Sequence, residues 1–215
     1  MSSIDKKYLE QAVRFWDFAV EKKITWGLSR GALIACDAIK RAWRESHPKV
    51  VELWRALGES AVAIASGGTK RVDINERLRV VSPRSGWMTT VLPSGRGVCY
   101  PGISVASDGH DDAVAYLGTN QRTRKWGKIK TYSGALTENA VQSVARDVLM
   151  CGILNAEAAG YKVVMHVHDE IIAEVPDSPE FTAEGLAACM TRMPAWADGL
   201  PLAAAGFEAT RYRKD

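Results

Sequence analysis

The sequence predicts an α+β fold in which helices pack with an antiparallel sheet. Three observations lead to this prediction. Apolar residues recur every three or four positions through the first 65 residues, which is typical of helices. After Gly67-Gly68, short runs rich in Val, Thr and aromatic residues alternate with turn residues, as strands do. A long amphipathic segment then precedes a further pair of short β-type runs.

The N-terminal segment is predicted to form three helices. The pattern is set by the apolar positions Leu9, Val13, Trp16 and Val20, then Ala35, Ile39, Ala42 and Trp43. Ser29 can cap the second helix. His47-Pro48 ends that helix, and Pro48 suits the first turn of a third.

The middle of the chain is predicted to form strands followed by a long helix. Residues 77–81, 87–92 and 98–101 have β-type composition, and Pro93-Ser94-Gly95-Arg96-Gly97 has the composition of a turn. Residues 104–124 are polar and are predicted to be a loop. Residues 137–160 are predicted to form one amphipathic helix that ends at Gly160.

Two short β-type runs near the C-terminal end are predicted to form a hairpin. The runs are 162–167 and 171–176, and they meet across His168-Asp169-Glu170. Residues 179–193 are predicted to be helical, and 200–212 to return as a strand.

Composition excludes several classes of protein. The chain has 215 residues, of which 47% are hydrophobic and 25% charged, as in an ordinary globular protein. No apolar run reaches the ~18–20 residues of a membrane span, and the N-terminus lacks the apolar stretch of a signal peptide. The four cysteines lie far apart without a CxxC pair, so we expect reduced, packed thiols in a cytosolic protein.

Charge is distributed unevenly along the chain. Residues 67–130 contain 11 Lys/Arg and 5 Asp/Glu, whereas residues 147–200 contain 2 and 9. Within the basic part, 122–130 places five cations around Trp126. This distribution suits a nucleic-acid-binding protein with a metal-dependent site, although a charge run is more often a solvated loop.

The adjacent carboxylates Asp169 and Glu170 are the main candidates for chemistry. Two neighbouring carboxylates repel each other unless a cation lies between them, and Mg²⁺ binds one or two carboxylates together with substrate phosphates. The pair therefore suits phosphoryl transfer with two metal ions. The alternative is a solvated turn, because Asp is a common turn residue.

Two further sets of side chains are candidates. His166 and His168 lie two residues apart, hence on one face of a strand, and could bind a transition metal with Asp169. The supply of ligands for such a hydrolase is poor, so packed or hydrogen-bonding histidines are the alternative. The predicted 137–160 helix carries polar groups that could contact phosphates or minor-groove acceptors, or could simply form a solvent face: Glu138, Asn139, Gln142 and Arg146.

Several motifs in combination resemble family A (DNA polymerase I-like) DNA polymerases, in particular their phage branch. The resemblance covers roughly residues 41–213. It is carried by Trp54, the Leu92-Pro-Ser-Gly-Arg96 turn with Tyr100-Pro101, the stretch from Tyr132 to Asp147 (YSGALTENAVQSVARD), Val167-His-Asp-Glu170, Leu200-Pro-Leu and Arg211-Tyr212.

The resemblance implies a role for individual residues. Asp169 corresponds to the palm carboxylate that holds catalytic Mg²⁺, with Glu170 as the auxiliary acid and His168 at the primer end. Gln142 corresponds to a residue that contacts the minor-groove side of the terminal base pair, and Arg146 lies on the same helix. Arg96 is matched to a DNA-contacting arginine. Glu138 departs from the pattern, because familiar members carry Asn four residues before that Gln.

The resemblance also implies an architecture and partners. Residues 1–66 would be part of the fingers, and 67–215 the palm with the catalytic hairpin 162–176. Its ligands would be primer–template DNA, a deoxynucleoside triphosphate and Mg²⁺. The chain would act in the cytoplasm of a bacterial host and would not bind a membrane.

Two motifs of the family have no counterpart in this sequence: the strand that bears the other metal-binding Asp, and the nucleotide-binding fingers helix. We therefore expect either a split polymerase, active only with a complementing N-terminal chain, or a fragment of a longer protein. If a separate chain completes the fold, residues 1–60 of this chain alone should expose apolar surface, with Trp16, Phe18, Trp26 and Trp43 as candidates. The alternative is a non-catalytic DNA-binding or accessory module derived from a polymerase palm.

Overall fold

The fold is α+β, as predicted. The computed structural model describes residues 5–106 and 114–213. In this part of the chain there are five α-helices: α1 (Lys6–Glu21), α2 (Arg30–Ser46), α3 (Pro48–Ala65), α4 (Ser133–Ala158) and α5 (Ala183–Thr191). The nine strands of the same ranges are β1 (Arg71–Asp73), β2 (Arg79–Val81), β3 (Trp87–Val91), β4 (Gly97–Pro101), β5 (Ser104–Val105), β6 (Val114–Thr119), β7 (Trp126–Thr131), β8 (Lys162–Val167) and β9 (Glu170–Glu174).

The chain divides into two compact units, Met1–Arg55 and Ala56–Asp215. In the first unit, α1 and α2 pack together through mostly small buried side chains, which allow the helix backbones to approach closely: Ala12, Ala19, Leu33 and Ala38. The predicted cap of α2 is present, because Ser29 Oγ accepts a hydrogen bond from Ala32 N at 3.3 Å. The Trp43 ring stacks on His47 and on Trp54.

The second unit contains a four-stranded antiparallel sheet in the order β1-β2-β3-β4. Side chains alternate along β3, so that Met88 and Thr90 are buried while their neighbours are only partly so. Met88 is paired in register with Tyr100 of β4. The largest fully buried side chains of this unit include Leu57, Val80, Met88, Leu92, Tyr100 and Leu136.

A second antiparallel sheet, β5-β6-β7, corrects the sequence-based prediction. Residues 104–124 were expected to be a loop, but they contain β5 and β6, and the basic run 122–130 enters β7. The alternation of exposed and half-buried residues along β7 is regular, and the charged residues occupy its exposed positions. The density of charged residues in 122–130 therefore favoured a loop in the sequence-based prediction, although β7 is a half-buried strand. Residues 107–113, part of the predicted loop, lie outside the described residues.

The hairpin β8-β9 and the helices α4 and α5 form the remainder of the second unit. A core of Ala156, Tyr161 and Cys189 joins them, with Val163, Ile171, Ala173, Val175, Phe181 and Leu186 packed against it. Helix α4 begins at Ser133, four residues before the predicted start, and α5 is shorter than predicted. The strand predicted for 200–212 is wrong, because this segment has no regular secondary structure.

Two smaller expectations also have outcomes. The four cysteines are free, but Cys36 and Cys99 are exposed rather than packed. Within the described ranges, no helix combines the length and the apolar character that crossing a membrane requires.

Candidate functional site

The predicted hairpin is present, and its tip carries the candidate catalytic residues. Val167 and Glu170 are partners in the antiparallel register, so His168 and Asp169 form a two-residue loop. His168, Asp169 and Glu170 are all exposed. His168 has a φ of +53°, in the left-handed region that a residue with a Cβ adopts only at some cost in free energy.

The base of the hairpin is anchored to the C-terminal end of α4. Val163 N donates a hydrogen bond of 2.7 Å to Glu157 Oε1 of that helix. Val163, Ile171 and Ala173 pack on the Ala156–Tyr161 core described above. The strand register shifts between Val163 and Met165, near the base of the hairpin. The tip is therefore the exposed end of a hairpin whose base is fixed.

The carboxylates of Asp169 and Glu170 are the candidate ligands for a hard cation. Both supply carboxylate oxygens, the ligands that Mg²⁺ prefers, and neither side-chain carboxylate forms a hydrogen bond or an ion pair with another described residue. The chemistry of the two carboxylates fits Mg²⁺, which binds one or two carboxylates together with substrate phosphates.

The structure gives no support to the alternative of a metal hydrolase built on His166, His168 and Asp169. His168 lies in the loop beyond the end of β8 and has left the strand that carries His166, so the expected common strand face is absent. Within residues 5–106 and 114–213, no group of three or more His, Cys, Asp and Glu residues could hold a metal ion.

The exposed face of α4 presents the polar residues that the sequence singled out. Glu138, Gln142 and Arg146 are exposed and follow each other at intervals of four residues, so they form one row on the helix surface. Asn139 is half-buried, and its Nδ2 donates a hydrogen bond of 3.3 Å to the hydroxyl of Tyr100. Burial raises the pKa of the Tyr100 phenol, although the hydrogen bond from Asn139 opposes this effect. Asn139 thus has an internal partner in the core.

Arg96 is held against α4 by a network centred on Asp147. Arg96 Nε donates to Asp147 Oδ1 at 2.6 Å, and an Nη of the same guanidinium donates to the Ser143 carbonyl oxygen at 2.7 Å. Ser94 Oγ donates to the second carboxylate oxygen, Asp147 Oδ2. The Asp147 carboxylate is nearly buried, whereas the Arg96 side chain is 46% exposed. The network places a cation beside the row that contains Gln142 and Arg146.

The sequence analysis did not recognise Asp147 and Ser94 as parts of this network. Both lie in the stretches that carry the resemblance, but they are 53 residues apart. Of the candidate residues, the structure brings Arg96 to α4. No described hydrogen bond or ion pair joins His168, Asp169 or Glu170 to that row on α4.

Comparison with known proteins supports the resemblance to a phage DNA polymerase. The chain is 36% identical over 194 residues to a DNA polymerase of Bacillus phage SP02, a match that covers 89% of this chain and 29% of that protein. The chain resembles part of a phage DNA polymerase. It spans less than a third of the length of that relative. No family model matches the chain. No solved structure matches it either.

Proposed function

We propose that the chain is the C-terminal palm portion, with part of the fingers, of a family A DNA polymerase that adds deoxynucleotides to a primer 3′ end. The observation that carries the proposal is the match to the phage polymerase over 89% of the chain. A match of 194 residues within 215 must span the middle of the chain, and therefore includes α4 and the β8-β9 hairpin. These are the elements that carry the candidate site.

In the proposed reaction, the primer 3′ hydroxyl attacks the α-phosphate of the incoming nucleotide in line, and pyrophosphate leaves. Asp169 would hold Mg²⁺, with Glu170 as the auxiliary carboxylate beside it. Bound Mg²⁺ would stabilise the negative charge that develops on the transferred phosphoryl group. His168, in the strained loop next to Asp169, would contact the primer end.

The face of α4 would hold the duplex close to its primer terminus. Gln142 has an amide that can both donate to and accept from minor-groove base edges. Arg146 and Arg96 lie beside it as cations, and their charge suits the phosphates. Glu138 would reduce the affinity of this row for phosphate, since a carboxylate repels an anion. Gln142 and Arg146, with Arg96, thus suit contact with the duplex, whereas Glu138 does not.

The proposed activity needs a second metal-binding carboxylate and a nucleotide-binding helix, and the sequence has no counterpart of either. We propose that a complementing N-terminal polymerase chain, or the preceding part of a longer one, supplies both. The fact that the match covers only 29% of the relative supports this part of the proposal. We expect the chain to act in the cytoplasm of a bacterial host.

The experiment is primer extension by the complete assembly, carrying either Asp169→Ala or Asp177→Ala in this chain. Both aspartates are exposed and both changes remove one negative charge, but Asp177 lies beyond the end of β9. Loss of the metal-binding carboxylate should lower the extension rate about 100-fold or more, a loss typical of a group that stabilises transition-state charge. Asp177→Ala should extend at the unaltered rate.

Folding is monitored by the thermal unfolding midpoint of each variant, which should not change because Asp169 has no described partner in the structure. Equal extension by the Asp169 and Asp177 variants would refute the catalytic role.

A second candidate function, a DNA-binding accessory module, is favoured by the concentration of cations on and next to β7. Such a module would retain all of its activities in the Asp169→Ala variant.

A further inference from the structure

Strand β7 presents one exposed face that alternates aromatic and cationic residues. Trp126, Lys128 and Lys130 occupy every second position, hence one side of the strand, and all three are exposed. Their register partners on β6 are Thr119, Leu117 and Ala115, of which the first two are also exposed. Two adjacent strands therefore present a common outer surface, which we call the β6-β7 platform.

The opposite side of the same two strands is turned towards the protein interior. Val114 and Thr131 are buried, while Tyr116 and Ile129 are half-buried. The Tyr116 ring packs edge-on against the buried ring of Tyr100 at 5.2 Å between centroids. The platform is thus the outer side of a sheet whose inner side is fixed to the core, and its side chains are presented on a rigid support.

Two aromatic rings project from this surface. Trp126 is 67% exposed, and Tyr132, which continues the alternation in extended conformation at the start of α4, is 61% exposed. Six residues of extended chain separate their two Cα atoms by about 20 Å. The Tyr132 ring lies close to Gly134, where an added side-chain carbon would come within 2.8 Å of it. The lack of a side chain at Gly134 leaves room for the ring there.

The charge around the two rings is positive. No Asp or Glu occurs in the sequence between residues 114 and 137, a segment that contains five cations. Among the described residues, no carboxylate forms an ion pair with the cations that flank Trp126, which are Arg122, Arg124, Lys125 and Lys128. Solvated cations around exposed aromatic rings are complementary to a flexible polyanion that also carries stackable bases.

We propose that the β6-β7 platform binds single-stranded nucleic acid, with a base stacked on Trp126 and the sugar-phosphate backbone held by Arg122, Arg124, Lys125 and Lys128. The internal bases of a duplex are stacked on their neighbours and are not free to lie on an aromatic ring, so the exposed indole favours a single strand. Stacking does not depend on base identity, which makes the binding tolerant of sequence.

This inference extends the proposed function to a second ligand, the unpaired part of a template strand. It depends on the polymerase proposal only for that biological role. Binding at the platform needs neither Asp169 nor a complementing chain, and it can be measured on the full 215-residue chain.

The test is fluorescence anisotropy with a labelled oligothymidylate of about 12 nucleotides, within the usual site sizes for single strands. Trp126→Ala should weaken binding about fivefold or more, the effect of losing one stacked base, and Trp126→Phe should restore most of it. The matched control is Trp26→Ala, because Trp26 is exposed to a similar extent, 72%, but lies in the other unit. A blunt duplex of the same length should bind the Trp126→Ala variant with unaltered affinity.

Lys128→Ala provides an independent second variant. Removing one phosphate contact should reduce the slope of log K against log salt concentration by about 0.7. Lys6→Ala makes the same change in net charge on α1, where Lys6 is paired with Glu10, and should leave the slope unaltered.

Three results would overturn the proposal: no binding of the oligothymidylate, equal affinity for Trp126→Ala and Trp26→Ala, or equal weakening of single-strand and duplex binding by Trp126→Ala. The outcome is separable from that of the polymerase proposal. Asp169→Ala should leave single-strand affinity unaltered, and a failure of the platform would leave the extension experiment with Asp169→Ala still decisive for catalysis.

Discussion

His168 combines an unfavourable backbone conformation with a position next to the candidate metal-binding carboxylate. It is the first of the two loop residues between β8 and β9, and a positive φ there is what certain tight hairpin turns require. Glycine is the residue that most easily adopts this conformation. A histidine at this position costs stability, and we attribute its presence to the role of its side chain at the primer end.

His168→Gly should therefore stabilise the chain and impair the reaction. Relief of the left-handed conformation should raise the free energy of unfolding by about 1 kcal/mol, measured by urea denaturation. Primer extension by the complete assembly should slow. His168→Ala is the control, because it removes the imidazole and keeps the strained φ, so it should slow extension without stabilising the chain. Faster extension by the glycine variant would contradict the proposed primer contact.

At the scale of elements, Asp147 joins the β3–β4 turn to α4. Its nearly buried carboxylate accepts hydrogen bonds from both Ser94 and Arg96, and both donors lie on that turn. Asp147→Asn should lower the free energy of unfolding by about 2 kcal/mol, because an amide cannot replace both charge-assisted acceptors. The measurement is denaturant unfolding of the full chain.

The control for Asp147→Asn is Asp177→Asn, an equal change of charge at an exposed position, which should alter stability by less than about 0.5 kcal/mol. If Arg96 is positioned by this carboxylate, Asp147→Asn should also weaken binding of a blunt duplex. Equal stability of the two variants would show that the turn is held by the sheet alone.

The elements that the sequence predicted correctly are those with local signals. Ser29 caps α2 and Pro48 begins α3, each within a few residues of the helix it affects. Strands β6 and β7 were not predicted, and the reason again lies in the composition of the segment itself. Trp-Gly-Lys-Ile-Lys-Thr alternates as a half-buried strand should, but its dense charge and the glycine favoured a loop. The strand predicted at 200–212 had apolar residues but has no strand partner in the described structure.

The candidate site was predictable to a similar extent. Asp169 and Glu170 lie at the tip of a hairpin because the sequence places two β-type runs around them. The tie between Arg96 and Asp147 could not be derived in that way, since it joins groups 51 residues apart whose meeting depends on the packing of the sheet against α4. Likewise, the half-buried position of Asn139 follows from its contact with Tyr100, 39 residues away.

At the scale of the whole molecule, the first unit exposes large apolar side chains on its two helices. Phe18 of α1 is 47% exposed, Ile39 and Trp43 of α2 are 56% and 42% exposed, and Trp26 between the helices is 72% exposed. Trp16, also expected to be exposed, is half-buried. Exposed apolar surface of this kind is typical of a protein that has a binding partner. We assign this surface to the proposed complementing polymerase chain.

The chain on its own should therefore self-associate through these side chains. Replacing Phe18 and Ile39 together by Gln should weaken self-association about tenfold or more, measured by sedimentation velocity, since each apolar side chain withdrawn from water contributes about 1.5–3 kcal/mol. Gln is a good helix former, so α1 and α2 should persist.

Leu154→Gln on α4, where Leu154 is 66% exposed, is the control and should self-associate as the unaltered chain does. The double variant should also bind the complementing chain more weakly while retaining its affinity for oligothymidylate. Unaltered sedimentation of the double variant would mean that these side chains are simply solvated, and the docking site for the polymerase partner would then have to lie on the second unit.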